Sequence, residues 1–111
     1  MVSAEVDNYL SEINRVLTPN GVVFATFFVL TEDSKRLSAK NSFQFKFQQG
    51  NDWLMDEKVV SANVAFEESF LRNSLIEKNG LELEGFHEGF WSGRPKKDCK
   101  DFQDVLILKK N

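Results

Sequence analysis

Residues 9–30 read YLSEINRVLTPNGVVFATFFVL, and this stretch decides the fold. From Val6 the apolar positions Val6, Tyr9, Leu10, Ile13, Val16 and Leu17 recur at the spacing of one helical face, which predicts an amphipathic helix. Ser3 is placed to accept hydrogen bonds from the free amides of the first turn, and Glu5 and Asp7 sit where the helix dipole favours anions. Thr18-Pro19-Asn20-Gly21 ends the helix, because proline cannot continue the ladder and Asn and Gly tolerate positive φ. Val22 to Leu30 is then apolar without alternation, broken only by Thr26, and is rich in β-branched and aromatic side chains. Such a run predicts a strand covered on both faces, as in an α/β sheet.

Outward from this unit, residues 31–40 are polar, with a short helical turn predicted through Glu32, Asp33 and Ser34. Phe43, Phe45 and Phe47 alternate with Gln44, Lys46 and Gln48, the pattern of a half-buried strand. A Gln-Gly-Asn-Asp turn follows, and Trp53, Leu54 and Met55 return as a short partner, making a small antiparallel excursion at about 43–60. Glu67 to Asn79 reads as a second helix with Phe70, Leu71 and Leu75 inward and Asn79-Gly80 as its stop. Leu81 to Trp91 reads as a strand, residues 92–101 as a polar hairpin loop, and Phe102 to Leu108 as a last strand apolar on both faces. The chain is a single domain, 1–111, ordered helix, strand, excursion, helix, strand, strand.

A domain of 111 residues buries about 65% of its unfolded surface, and eleven Phe and two Trp supply bulky core material. The formal net charge is -3 with both signs mixed along the chain, which gives no electrostatic case for nucleic acid or an anionic membrane. Cys99 stands alone, so there is no disulfide framework and no cysteine-based zinc site, and a reducing compartment is expected. The acidic N-terminal stretch does not read as a signal peptide, and no apolar stretch approaches the length of a membrane span. A soluble, cytoplasmic protein is the expectation.

Residues that carry chemistry are sparse. Gly85, Gly89 and Gly93 recur every fourth residue, but a phosphate loop must follow a strand and open a helix, and here a hairpin follows. They read as strand-end glycines. His87 is the only histidine and reads as a strand residue with a solvated tip, Cys99 as a loop thiol. Arg94, Lys96, Lys97 and Lys100, diluted by Asp98 and Asp101, read as a solvated hairpin tip. Glu67-Glu68 and Asp56-Glu57 are adjacent rather than opposed carboxylates, and no metal set is apparent. No self-contained catalytic residue emerges.

The stretch Glu5 to Gly21 running into VVFATFFVL resembles the helix and following strand in the later half of class I S-adenosylmethionine-dependent methyltransferases, where a Tyr-Leu-x-Glu-Ile-x-Arg-Val-Leu-x-Pro-Gly-Gly pattern leads into the fifth strand. Asn20 stands for the usual first glycine, and Asn also tolerates that turn. VAFEE at 64–68, GFWSGR at 89–94 and QDVLILKK at 103–110 are similar to the closing segments of the same domain. The resemblance implies the C-terminal portion of a Rossmann-like methyltransferase sheet, its last strand antiparallel between the two preceding strands, with helices packed on the sheet. In that family the cofactor is held by a glycine-rich turn after the first strand, an acid ending the second, and an acidic or polar residue near the adenine. All lie upstream of the helix with which this chain begins. The resemblance therefore implies an incomplete domain lacking its N-terminal cofactor-binding half, inactive alone, with S-adenosylmethionine bound in the complete enzyme and none expected here. The alternative is a non-catalytic interaction module or subunit derived from a methyltransferase.

Ligands of open α/β sheets bind beyond the carboxyl ends of the parallel strands. This rule selects Phe28 and Leu30 at the end of one strand and Phe90 and Trp91 at the end of the other, with Phe43, Phe45 and Trp53 of the excursion as lining or lid. The competing reading is that these aromatics pack over the sheet. The second edge of strand 22–30 is expected to lack a partner, so association is expected with the missing N-terminal half or with a second copy.

Overall fold

The computed structural model describes residues 2–40, 44–55 and 63–110. Helix α1 (Ser3–Val16) leads through the predicted turn into β1 (Val22–Leu30), and Asn20 adopts φ 65° as that turn requires. There follow α2 (Glu32–Ser38), the hairpin β2 (Phe47–Gln49) and β3 (Asp52–Leu54), and β4 (Val64–Glu67). The segment α3 (Glu68–Phe70) runs on as a π-helical turn (Leu71–Ile76) and a 3-10 turn (Glu77–Asn79), and Gly80 closes it at φ 75°. Strands β5 (Leu81–His87) and β6 (Asp104–Lys110) complete the chain.

The strands form one mixed, open sheet in the order β2-β3-β4-β1-β6-β5. β6 lies antiparallel between β1 and β5, pairing Phe24 with Ile107 on one side and Phe86 with Leu106 on the other. β1 and β5 are therefore parallel to each other. The excursion is antiparallel as expected, Phe47 facing Leu54, while its residues 43 and 56–60 lie outside the described residues.

The expectation that strand 22–30 lacks a second neighbour is corrected. β4 pairs with it in parallel through Phe28, Val29 and Leu30. The sequence carries no strand signal there because four residues are too short to show a period, although Val64, Ala65 and Phe66 are all buried. Among the described residues, no strand pairs with that edge of Val22–Phe27. Coverage of β1 is also partial. Its second half, Phe27–Leu30, is buried on both faces, whereas Val22 and Phe24 are 50% and 71% exposed.

One face of the sheet carries the main core: Val6 and Leu10 of α1, Leu71, Leu75 and Ile76 of the helical segment, and Phe27, Val29, Phe66, Leu106 and Leu108 of the strands. On α1 the buried stripe is narrower than predicted. Val6, Leu10, Ile13 and Leu17 share it, while Tyr9 and Val16 fall roughly 60–80° to one side at 100° per residue and stay exposed. The amide of Ser3 donates to Asp52 Oδ1 at 3.0 Å, so the cap comes from β3, not from the Ser3 side chain. At the other end Lys110 Nζ donates to the carbonyls of Asn14 and Leu17, where a helix dipole favours a cation. The opposite sheet face holds a smaller cluster of Phe28, Leu30, Phe45, Ala65 and Trp91.

Candidate functional site

Strands β1, β4 and β5 point their carboxyl ends the same way, and beyond those ends lies a cleft of about 780 Å³. Two tight connections shape one wall. The hydroxyl and amide of Thr31 and Ser34 bond to each other reciprocally, and Ser34 Oγ also donates to Val29 O at 3.0 Å, so α2 starts immediately after β1. Glu32 and Asp33 thus stand at the rim. β4 passes into α3 with no intervening loop, which sets Glu68 beside them, ion-paired to Arg72 at 3.4 Å. Arg72 belongs to the π-helical turn, a rare geometry that is frequent at functional sites.

The facing wall comes from the end of β5 and the chain after it: Phe86, His87, Glu88, Arg94, Asp98 and Lys100. One buried carboxylate fixes this segment. Asp104, 3% exposed at the start of β6, accepts from the amide of Val29 (2.8 Å), the amide of Gly89 (2.7 Å) and the indole of Trp91 (3.1 Å). It joins β1 and the chain leaving β5 at a single point. Burial pushes its carboxyl above the usual aspartate range against the pull of these three donors, and nearby Glu88 adds to the rise. Gly89 is required there, since a Cβ at this position would collide with the carbonyl oxygens of Phe102 and Gln103.

Arg94 does not belong to a solvated tip. Its side chain is only 14% exposed, its Nη2 meets Glu88 Oε2 at 2.6 Å, and its buried Nε has no partner among the described residues. The expectation for Lys96, Lys97 and Lys100 holds, all three being exposed. His87 is half-buried on the cleft wall.

The residues selected from sequence gather elsewhere. Phe28, Phe45 and Trp91 pack tilted or edge to face with ring centroids 5.1 to 5.6 Å apart, and with Leu30 they are buried in the smaller cluster. Leu30, Phe45 and Trp53 also line a pocket of about 280 Å³ between α2 and the chain leading into β2. Phe90 is half-buried against Phe102 and lies under Lys96 Nζ, 5.2 Å from its ring centre. Phe43 lies outside the described residues. Sequence reasoning missed Asp104 and the burial of Arg94. The available signal is an acid inside a stretch predicted as a strand apolar on both faces.

Among the described residues no group of His, Cys, Asp and Glu is arranged to hold a metal ion, and no helix is long and apolar enough to cross a membrane. No family model and no solved structure matches this chain.

Proposed function

We propose that these residues form the substrate side of a class I S-adenosylmethionine-dependent methyltransferase domain. The observation that carries the reading is β6, antiparallel between two strands that are parallel to each other. This is the arrangement the sequence resemblance implies. The residues present do not fit the cofactor itself. β1 enters α2 through Thr31 and β4 enters α3 directly, so neither junction has the glycines that would let a backbone turn approach a nucleotide. The cofactor then belongs to other sequence, and no step of its chemistry falls to the residues here.

What remains to this chain is the acceptor side. A cleft beyond parallel strand ends, walled by fixed charges, binds and orients a small molecule, and positioning supplies much of the acceleration in a group transfer. Val22, Phe24 and the open half of the β1 edge favour a second reading, a non-catalytic interaction module, because they present apolar surface without a cover among the described residues.

Calorimetric titration of this chain with S-adenosylmethionine tests the assignment of the cofactor; no binding is expected, and micromolar affinity would overturn it. The tagged chain is then purified from its native host with whatever polypeptide accompanies or extends it and exposed to photoactivated, radiolabelled cofactor. Labelling of that assembly is expected. An assembly that takes up no label would refute the methyltransferase reading and leave the interaction module.

A further inference from the structure

The charges of the cleft are not evenly spread. On the helical wall stand Glu32, Asp33 and Glu68, with Arg72 lining the cleft beside them and Arg36 reaching Asp33 from outside it, which leaves one carboxylate in excess. Asp33 is held by Arg36 at 3.0 Å and Glu68 by Arg72, but Glu32 has no ion-pair partner among the described residues. On the facing wall Glu88 and Asp98 are balanced by Arg94 and Lys100. One wall is acidic, and the other is neutral with an incompletely bonded guanidinium in it.

That guanidinium is the second observation. A buried N–H donor without a partner costs on the order of 1–3 kcal/mol, and such a group in a folded protein calls for an explanation. Arginine presents its donors as a planar fork suited to a carboxylate gripped through two nitrogens. In Arg94 one nitrogen of that fork is on Glu88 and the next is empty. Glu88 is 40% exposed, so it can swing to water while the guanidinium turns its Nε and Nη2 edge toward an incoming oxygen pair. A simple anion is disfavoured by the carboxylates opposite, and a simple amine leaves Nε unbonded.

We propose that the cleft binds a small molecule carrying both an ammonium and a carboxylate group, the ammonium against Glu32 and Glu68 and the carboxylate on Arg94. The volume of about 780 Å³ lies within the range of small-molecule sites. As a statement about the methyl acceptor this rests on the reading given above; as a statement about binding it does not.

The test is a titration of the isotopically labelled chain followed at the Arg94 Nε–Hε resonance, with three probes of matched length: 6-aminohexanoate, hexanoate and hexylammonium. The zwitterion is expected to give a saturable shift at least ~10-fold tighter than either probe with one charge, a difference of about 1.4 kcal/mol. Glu32→Gln, at an exposed residue, should weaken the zwitterion several-fold while leaving hexanoate unchanged, and Arg94→Lys, which lacks this resonance and is titrated by calorimetry beside the native chain, should weaken both carboxylate-bearing probes. Equal binding of hexylammonium, equal binding of hexanoate, or no saturable shift with any probe overturns the proposal. Zwitterion binding to an assembly that takes up no cofactor label would retain the site and reject only the transferase reading.

Discussion

Replacing Asp104 by asparagine keeps the side-chain shape and exchanges one acceptor oxygen for an NH2 donor. In the native structure Oδ2 serves Val29 N and Trp91 Nε1, while Oδ1 serves Gly89 N. However the amide is turned, at least one buried N–H then faces another donor. The better orientation keeps the two bonds on one oxygen and orphans Gly89 N–H, at about 1–3 kcal/mol. The two surviving bonds also lose the strength that a charged acceptor gives them, so a total of ~2–4 kcal/mol is expected. At about 2.1 cal/mol/K per residue, each kcal/mol shifts the melting temperature of a chain this size by ~4 °C, giving a fall of roughly 8–16 °C. Urea and thermal melts read by circular dichroism and tryptophan fluorescence measure it. A loss below ~0.5 kcal/mol, the range of an ordinary surface change, would refute the view of Asp104 as the point that joins β1 to the segment after β5. The pH dependence has a definite sign. With its carboxyl raised in the folded state, the native chain holds this proton more tightly than the unfolded chain. The stability from this group is therefore present below the usual aspartate value and lost as pH rises through the raised one. The Asp104→Asn variant has no titrating group at this position, so the gap between the two proteins should narrow as pH rises across that window.

Gly89→Ala drives a methyl group into the carbonyl oxygens of Phe102 and Gln103 and should cost more than ~3 kcal/mol, with loss of Trp91 burial by fluorescence; a near-native melt would show that residues 102–103 yield freely. Asp52→Ala removes the acceptor for the first amide of α1 and should lower stability by about 0.5–2 kcal/mol in urea melts, with no change in the m-value. Phe24→Lys replaces a 71% exposed side chain and should leave monomer stability within ~0.5 kcal/mol while reducing self-association seen by light scattering; destabilisation beyond ~2 kcal/mol would mean that this face is packed.

The α1-turn-β1 unit was legible because its signals are local: a 3.6-residue period, a Pro-Asn-Gly stop and a β-branched, aromatic run. The same locality limited it. Tyr9 and Val16 fit a broad helical stripe, and only the position of the sheet beneath selects the narrower one. β4 leaves no local signal, since Val64–Glu67 gains its identity from β1, which lies more than thirty residues earlier. The cap on Ser3 comes from Asp52, and the bonds that define Asp104 reach back to Val29. Nothing within a few residues of these positions encodes such partners. The cleft was legible in its location, which the strand-end rule specified, but not in its lining. Of the aromatics it selects, Phe28, Phe45 and Trp91 turn inward to pack, whereas the polar residues one step beyond each strand form the walls.

The place of β6 also sets the order in which the molecule can be built. Val22 pairs with Lys109, and Leu81 pairs with Lys110, so the middle of this half of the sheet is filled by a segment that follows both of its neighbours in the chain. Until it emerges, β1 and β5 have no bridge between them, and the edges that face β6 stay unpaired. Joining contacts so distant in sequence makes folding slow compared with a helical protein of equal length. A chain that stops before residue 104 should therefore expose this unclosed seam and become prone to aggregation.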